Sequence, residues 1–288
     1  MKHIVFTIIT LTLLFNIYPI TAQETLKIKD RDFSFYSWEG KYVYKGKPSI
    51  ELSYGQSEIS LKNSGINFTQ QGTINLKLGW HKERSLKNKS IVNYRSNFIS
   101  GSYSTGNIRF RNPANSDAVN LNFGFGSADG YGYKLGKNST LVLYNSSAMT
   151  WTRYDHGSSL NYAENNMAED FNKTIRFGST AEGGIIIPLG GLVNLQASYD
   201  RTIVFPRHMV WKHMGSALIE AAGQSLIDGF VHAIYKTSPF AAPIVSFILK
   251  NGLSYGLYEL RREKMNWPFE SAEPLLFDTY KVGLKFTF

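Results

Sequence analysis

Apolar and polar residues alternate with a period of two along several segments of the chain. In 74–80, Ile, Leu, Leu and Trp alternate with Asn, Lys and Gly, and 119–125 and 193–200 follow the same rule. This period puts successive side chains on opposite faces of a β-strand. The pattern predicts eight strands, near 48–57, 72–81, 93–104, 118–127, 139–154, 173–187, 191–205 and 277–288. The strands at 93–104 and 139–154 alternate poorly, so their bounds are less well defined.

The length of these strands favours a membrane barrel over a soluble sandwich. Soluble strands are typically about five or six residues long, whereas strands that cross a membrane need about nine to eleven. A soluble sandwich would turn the apolar faces inward, and a membrane barrel would turn them towards lipid. Alternation alone does not separate the two. The stretch from Phe33 to Lys45 is also strand-like and could add a pair, which makes ten strands the alternative to eight.

A segment before the last strand departs from the two-residue period and predicts a helical hairpin at 207–264. The first helix, near 208–236, carries a polar residue at every fourth position on a mostly apolar background. These positions are Ser216, Glu220, Gln224, Asp228, His232 and Lys236. Ser238 and Pro239 read as the N-cap and first turn of a second helix that runs to Tyr258. The hairpin could cap the barrel mouth, lie in the membrane interface or hold a protein partner.

The N-terminus has the order of a secretory signal peptide. Lys2 precedes an apolar run from Ile4 to Ile17, and small residues end the segment at Ala22. An anchoring helix is the rival interpretation, but about fourteen apolar residues are short for a bilayer. We therefore predict a signal peptide at 1–22. The residues 23–47 would form a periplasmic segment or the extra strands, and 48–288 the barrel with its insert.

The last strand has the clearest pattern. Tyr280, Val282, Leu284, Phe286 and Phe288 share one face, and charged or small residues occupy the other. This segment resembles the closing strand of bacterial outer-membrane β-barrel proteins, which alternates in this way and ends in an aromatic residue. The resemblance implies an antiparallel up-and-down transmembrane barrel in the outer membrane of a Gram-negative cell.

Composition narrows the possible partners. The chain has no cysteine, which excludes disulfides, thiolate nucleophiles and cysteine metal sites. Its net charge is +9, and removing the predicted leader takes away one lysine to leave +8. Because an exported protein does not meet nucleic acid, we expect outer-membrane lipid and lipopolysaccharide to supply the counter-charge. No cofactor or metal motif is found in the sequence.

Loop lengths predict which end of the barrel faces outward. The turn Pro188 to Gly191 is tight and rich in glycine, as periplasmic turns are. Because successive connections of an up-and-down barrel lie at alternate ends, the loops 82–92 and 128–138 are then also periplasmic. The longer loops 58–71, 105–117, 155–172 and 206–276 become extracellular.

One group of residues could carry chemistry. His156 and Ser158 lie two residues apart at the end of the strand 139–154, so on an extended chain their side chains point the same way. Asp170 would lie across the hairpin, where its carboxylate could orient the imidazole. Asp155 or Glu164 are alternatives for that role.

This arrangement resembles the lipid A deacylase and the outer-membrane phospholipase A, in which a His-x-Ser pair is oriented by a residue fourteen positions after the histidine. The resemblance implies that His156 is the base, Ser158 the nucleophile and Asp170 the orienting residue. Ser159 stands where those families usually have Asn, and the helical insert is not theirs.

Three functions are consistent with these patterns. The leading hypothesis is a non-catalytic outer-membrane barrel with a structural or surface-interaction role. The second is a lipid-ester hydrolase that uses the three residues just described. The third is a channel for small solutes, although an eight-stranded barrel fills its interior with side chains.

Overall fold

The computed structural model describes residues 46–61, 68–110, 118–136, 139–157 and 168–288. The predicted signal peptide and most of the segment 23–47 lie outside these ranges. The elements, in chain order, are β1 (Lys47–Leu61), β2 (Gln71–Ser85), β3 (Ile91–Thr105), β4 (Val119–Lys134), β5 (Thr140–Asp155), β6 (Ile175–Gly190), β7 (Val193–Val204), α1 (Val210–Thr237), α2 (Ala242–Glu263) and β8 (Leu275–Thr287).

The eight strands form a closed antiparallel barrel in which each strand pairs with its sequence neighbours. The last strand closes the barrel on the first, with Leu284 opposite Leu52 and Thr287 opposite Ser49. The predicted fold class, an all-β barrel of eight strands with a helical hairpin before the last strand, is confirmed. The ten-stranded alternative is wrong, because both edges of every strand are already paired and no edge remains for another pair.

The two ends of the barrel differ in the length of their connections. At one end, which we call the short-loop end, strands are joined by residues 86–90, 135–139 and 191–192. At the other, the long-loop end, the connections are 62–70, 106–118, 156–174 and 205–274. The predicted turn at Pro188 to Gly191 lies at the short-loop end, but β6 extends through Gly190. Gly190 and Gly191 have φ of 124° and 59°, in the left-handed region that favours glycine.

The side chains of the barrel are arranged opposite to those of a water-soluble protein. On β1, Ile50 and Leu52 point outward and are 41% and 52% exposed, whereas the inward-pointing Glu51 and Ser53 are 5% and 4% exposed. The same order continues on β2 and β8, where the buried positions include Lys77, Lys281 and Lys285. The apolar faces predicted from the sequence are therefore the outer faces of the barrel.

The two helices form an antiparallel pair between β7 and β8. Pro243 is in the first turn of α2, where its missing N–H costs no helical hydrogen bond. Arg261 and Arg262 lie in the last turn of α2, at the negative end of the helix dipole. Among the described residues, no helix contains a stretch of 18 residues whose mean hydropathy is high enough for a membrane-spanning helix.

Candidate functional site

The predicted base lies at the long-loop end. His156 follows β5 directly and is 4% exposed, and its Nδ1 is 2.9 Å from the carbonyl oxygen of Gly157. Because a carbonyl oxygen can only accept, Nδ1 is the donor in this hydrogen bond, and in a neutral ring Nε2 is the nitrogen that can accept a proton. The backbone N–H of Gly157 donates to the Asp155 carboxylate at 2.9 Å, which holds the turn in place.

The predicted orienting residue lies across the same connection. Asp170 is in a 3-10 turn, Glu169–Phe171, that lies beside the end of β5, where the Lys173 N–H donates to the Tyr154 carbonyl at 2.7 Å. Asp170 is exposed, however, whereas the imidazole of His156 is buried. The structure therefore brings the two segments together, but the hydrogen bond of Nδ1 goes to a backbone carbonyl.

Ser158 and the alternative orienting residue Glu164 lie outside the described residues. The contact between the serine hydroxyl and the imidazole therefore remains a prediction, and so do the roles of Ser158, His156 and Asp170.

The lumen holds a network of buried charges at its middle. Lys77 of β2 forms ion pairs with Glu182 of β6 and with Glu51 of β1, the latter at 3.3 Å. Lys281 of β8 lies 2.5 Å from Asp200 of β7 and 3.9 Å from Glu182. A buried charge is stable only when an opposite charge compensates it, and here two lysines and three acids from five strands meet that condition.

Neutral groups complete the network. The Tyr144 hydroxyl donates to Glu182 at 2.6 Å, and the Gln196 amide donates to Glu51 at 2.7 Å. The cavities on either side have volumes of only about 50 Å³ and 20 Å³, enough for a few water molecules. Side chains of the described residues therefore fill the lumen across its middle.

The helical hairpin lies along the outside of the barrel. Its turn is at the short-loop end, where the Tyr133 hydroxyl donates to the Phe240 carbonyl at 2.6 Å. At the long-loop end, Tyr258 of α2 packs against Ile203 and Leu276 on the outer face. The insert thus follows the barrel wall from one end to the other. The hypothesis that the hairpin caps the barrel mouth is wrong, because both helices lie beside the barrel and α2 contacts the outward side chains of the strands.

The strands beneath α2 carry polar residues at outward positions. We call this surface the covered wall and define it by Asp129, Asn145, Gly183 and Arg201, which lie on β4, β5, β6 and β7. The bare wall is the apolar outer surface of β1, β2 and β8, defined by Ile50, Leu52, Ile74, Leu76, Leu78, Val282 and Leu284.

Lys250 connects the covered wall to both helices. It is 4% exposed and lies 2.5 Å from the Asp129 carboxylate of β4 and 2.7 Å from the Asp228 carboxylate of α1. Further along α2, the Asn145 amide donates to the Asn251 side chain at 3.0 Å. These contacts pair the polar groups of the wall with polar groups of the helix.

Two close contacts fix the position of α2 on the wall. A Cβ atom built on Gly183 would lie 2.3 Å from Asn251 Oδ1, so any larger residue here would have to displace the Asn251 side chain. Arg201 is 3% exposed, and its guanidinium carbon lies 5.4 Å from the ring centre of Tyr255, 6.0 Å from that of Tyr258 and 5.6 Å from that of Tyr199. Aromatic rings stabilise a cation that has been removed from water.

Four of the six polar residues spaced by four on α1 face α2, namely Ser216, Glu220, Gln224 and Asp228. Arg261 of α2 lies 2.6 Å from Glu220 and donates to the Ser216 hydroxyl at 3.0 Å. Gln224 donates to Ser254 at 3.1 Å. Together with Asp228 and Lys250, these pairs form the interface between the helices.

Sequence reasoning missed the covered wall, although two signals were present. Ser246, Lys250 and Ser254 repeat every four residues along α2, which matches the polar spacing of α1. The poor alternation of β5 was the other, because the polar Asn145 occupies an outward position there.

Comparison with known proteins finds similarity to solved structures only. No family model and no curated protein matches the sequence. Among solved structures, the chain is similar to Neisserial surface protein A (NspA), with 7% identity and a TM-score of 0.40 over 84% of this chain and 97% of the other. It is also similar to Ail, the attachment invasion locus protein of Yersinia pestis, with 9% identity and a TM-score of 0.34 over 84% of this chain and 99% of the other.

Proposed function

We propose that this chain is an integral outer-membrane barrel protein of a Gram-negative bacterium, with a structural or surface-interaction role and no catalytic one. The observation that supports it best is the distribution of side chains across the wall. Leu52 and Val282 point outward and are more than half exposed, whereas Lys77, Glu182 and Lys281 are paired in the lumen. Such a wall is stable against acyl chains and costs free energy in water.

The loops support one orientation. Barrels of this class have short periplasmic turns and longer outer loops, so the long-loop end faces the cell surface. Outer-membrane lipid and lipopolysaccharide are then the partners of the wall and of the exposed long-loop end. The net positive charge of the chain favours binding to their anionic groups. A protein partner bound through the part of the helical insert 207–264 that lies at the long-loop end would fit the surface-interaction role.

The filled lumen argues against the channel hypothesis. A solute would have to displace Lys77 from Glu51 and Glu182, and breaking a buried ion pair costs about 3–5 kcal/mol. The cavities beside that network hold only water-sized groups.

Fractionation and gel mobility test the proposal. The protein should be found with outer membranes, and an unheated sample should migrate faster than a boiled one, because a closed strand ladder resists detergent until it is heated. A protein recovered in the soluble periplasmic fraction, with the same mobility before and after heating, would contradict it.

A lipid-ester hydrolase is the second candidate, and one observation favours it. The hydrogen bond from His156 Nδ1 to Gly157 selects the tautomer whose Nε2 can accept a proton from a serine. In that case the long-loop end would release fatty acid from phospholipid or lipid A, with Ser158 as nucleophile, His156 as base and Asp170 as the orienting acid.

Activity of the purified protein decides between the two. Under the hydrolase hypothesis, Ser158→Ala and His156→Ala each abolish release of fatty acid, because nucleophile and base act as one unit. Asp170→Asn costs less, because it removes only an orienting charge. If the wild type releases no fatty acid from either lipid, with or without calcium, the His-x-Ser spacing is a coincidence.

A further inference from the structure

The outward surface of the hairpin has no charged residue over most of its length. On α1, the exposed residues between 218 and 233 are Leu218, Ile219, Ala221, Ala222, Ser225, Leu226, Gly229, Phe230 and Ala233. Leu226 and Phe230 are 77% and 57% exposed. On α2, the exposed residues between 242 and 258 are Ile244, Ile248, Gly252, Tyr255 and Gly256. A helix pair in water would carry its polar residues on this surface.

The charged residues of this stretch point inward. Glu220 and Asp228 of α1 pair with Arg261 and Lys250 of α2, and Lys250 also reaches Asp129 on the covered wall. The hairpin therefore has polar contacts inside and apolar residues outside, as the barrel wall does. An average hydropathy counts both faces together, but only the outward face meets the surroundings.

Charges mark the two ends of the apolar surface. Lys212 precedes it near the long-loop end, and Lys236 follows it near the short-loop end. The sixteen residues from 218 to 233 span about 24 Å at about 1.5 Å per residue. That length equals the apolar band of outer-membrane barrels, which is about 25 Å tall.

We infer that the outward face of the α1–α2 hairpin is covered by lipid acyl chains, so that the hairpin lies in the hydrocarbon layer against the covered wall and its turn reaches the periplasmic side. The inference rests on the proposed function, because it requires that the barrel is inserted in a bilayer. The helices on their own would expose polar side chains of α2 to lipid. The barrel supplies partners for these side chains, because Asp129 pairs with Lys250, Asn145 with Asn251 and Arg201 with Tyr255.

Single-cysteine variants test the inference, and the absence of native cysteine makes each label unique. Leu226→Cys and Ile248→Cys report on the hairpin, Val282→Cys on the bare wall, and Lys89→Cys on an aqueous turn. Each full-length variant is labelled with a fluorescent maleimide in denaturant and refolded into phosphatidylcholine vesicles with or without brominated acyl chains. Brominated lipid should quench labels at 226, 248 and 282 to a similar extent, and iodide should quench the label at 89.

The controls separate failure of the inference from failure of the proposed function. If 282 is quenched by brominated lipid while 226 and 248 are quenched by iodide, the hairpin lies in water and the inference is wrong. If neither quencher reaches 226 and 248, protein covers this face, which also overturns it. If 282 is not quenched by brominated lipid, the barrel is not inserted and the proposed function fails first.

Sidedness in cells provides a second measurement. Arg207→Cys at the long-loop end should react with an impermeant maleimide on intact cells, whereas Ser238→Cys should react about tenfold more slowly until the outer membrane is opened. Reaction of both on intact cells would place the hairpin outside the membrane and overturn the inference. If the cysteine at 238 reacts on intact cells and the cysteine at 207 does not, the proposed orientation is wrong, but the hairpin still extends from one side of the membrane to the other.

Discussion

The bare wall and the covered wall are two parts of one strand ladder, and they differ in what they contact. On the bare wall, outward residues such as Leu52 and Val282 are apolar, and more than half of each is left exposed by the described residues. On the covered wall, outward residues such as Asp129 and Arg201 contact α2 and are polar. The backbone is equivalent in both. Where the outward positions meet the polar side chains Lys250 and Asn251 of α2, they are therefore polar as well, at Asp129 and Asn145.

Removing the hairpin should have the largest effect, because it turns the covered wall into a bare one. Replacing 209–264 with a short linker would expose Asp129, Asn145 and Arg201 to lipid. An arginine on the lipid face alone costs about 2–4 kcal/mol near the bilayer centre. We expect loss of most of the heat-modifiable form after refolding into vesicles, as measured by gel mobility.

The matched control combines the deletion with leucine at those three positions, which makes the covered wall resemble the bare one. This variant should recover the heat-modifiable form. Equal refolding of the simple deletion and the full chain would contradict the view that the hairpin protects the wall.

Loss of a single charge at the interface should have the next largest effect. Lys250→Met leaves Asp129 and Asp228 near each other without a compensating cation. We expect the free energy of unfolding to fall by about 3 kcal/mol, the lower end for a broken buried pair, because the Asp129 side chain is partly exposed. Urea unfolding in vesicles, followed by tryptophan fluorescence, measures the change.

Lys89→Met is the control for that variant, because Lys89 is exposed in the connection 86–90 at the short-loop end. Its effect should stay within about 0.5 kcal/mol. If the two substitutions cost the same, the ion pairs of Lys250 do not hold α2 on the wall.

Replacing a single glycine by leucine should have a smaller effect on the free energy of unfolding, and the size of that effect should differ between a position beneath α2 and an uncovered one. Gly183→Leu on the covered wall would force Asn251 away and cost about 1–3 kcal/mol, as overpacking does. Gly101→Leu makes the same change at an outward position of β3, where an added Cβ meets nothing within 4 Å. It should change the free energy of unfolding by less than about 0.5 kcal/mol. Similar costs at both positions would mean that α2 does not press on β6.

The sequence predicted the strand ladder well because its signal is local. Each strand carries its own alternation, so the predicted bounds differ from the observed ones by only a few residues at most ends. β4 is the exception, since it extends to Lys134 beyond the predicted end at 127. Gly130 and Gly132 lie in that extension, and glycine carries no side chain that could show which face it occupies.

The covered wall could not be predicted in the same way, because it depends on contacts between residues far apart in sequence. Asn145 lies 106 positions from Asn251, and Asp129 lies 121 positions from Lys250. Each polar residue on its own reads as a break in the alternation. The predicted polar stripe on α1 was correct, but the sequence did not indicate that this stripe packs against α2.

The placement of the hairpin between β7 and β8 has a consequence for protein engineering. Val204 and Leu275, which flank the insert, are paired neighbours in the ladder, so a tight turn could join the two strands directly. The barrel therefore accepts the insert as it would accept any loop. The insert could not be moved to another protein on its own, because the side chains that contact α2 are spread over four strands, β4 to β7. Transplanting it to a second barrel would require moving those recipient positions with it as a matched set.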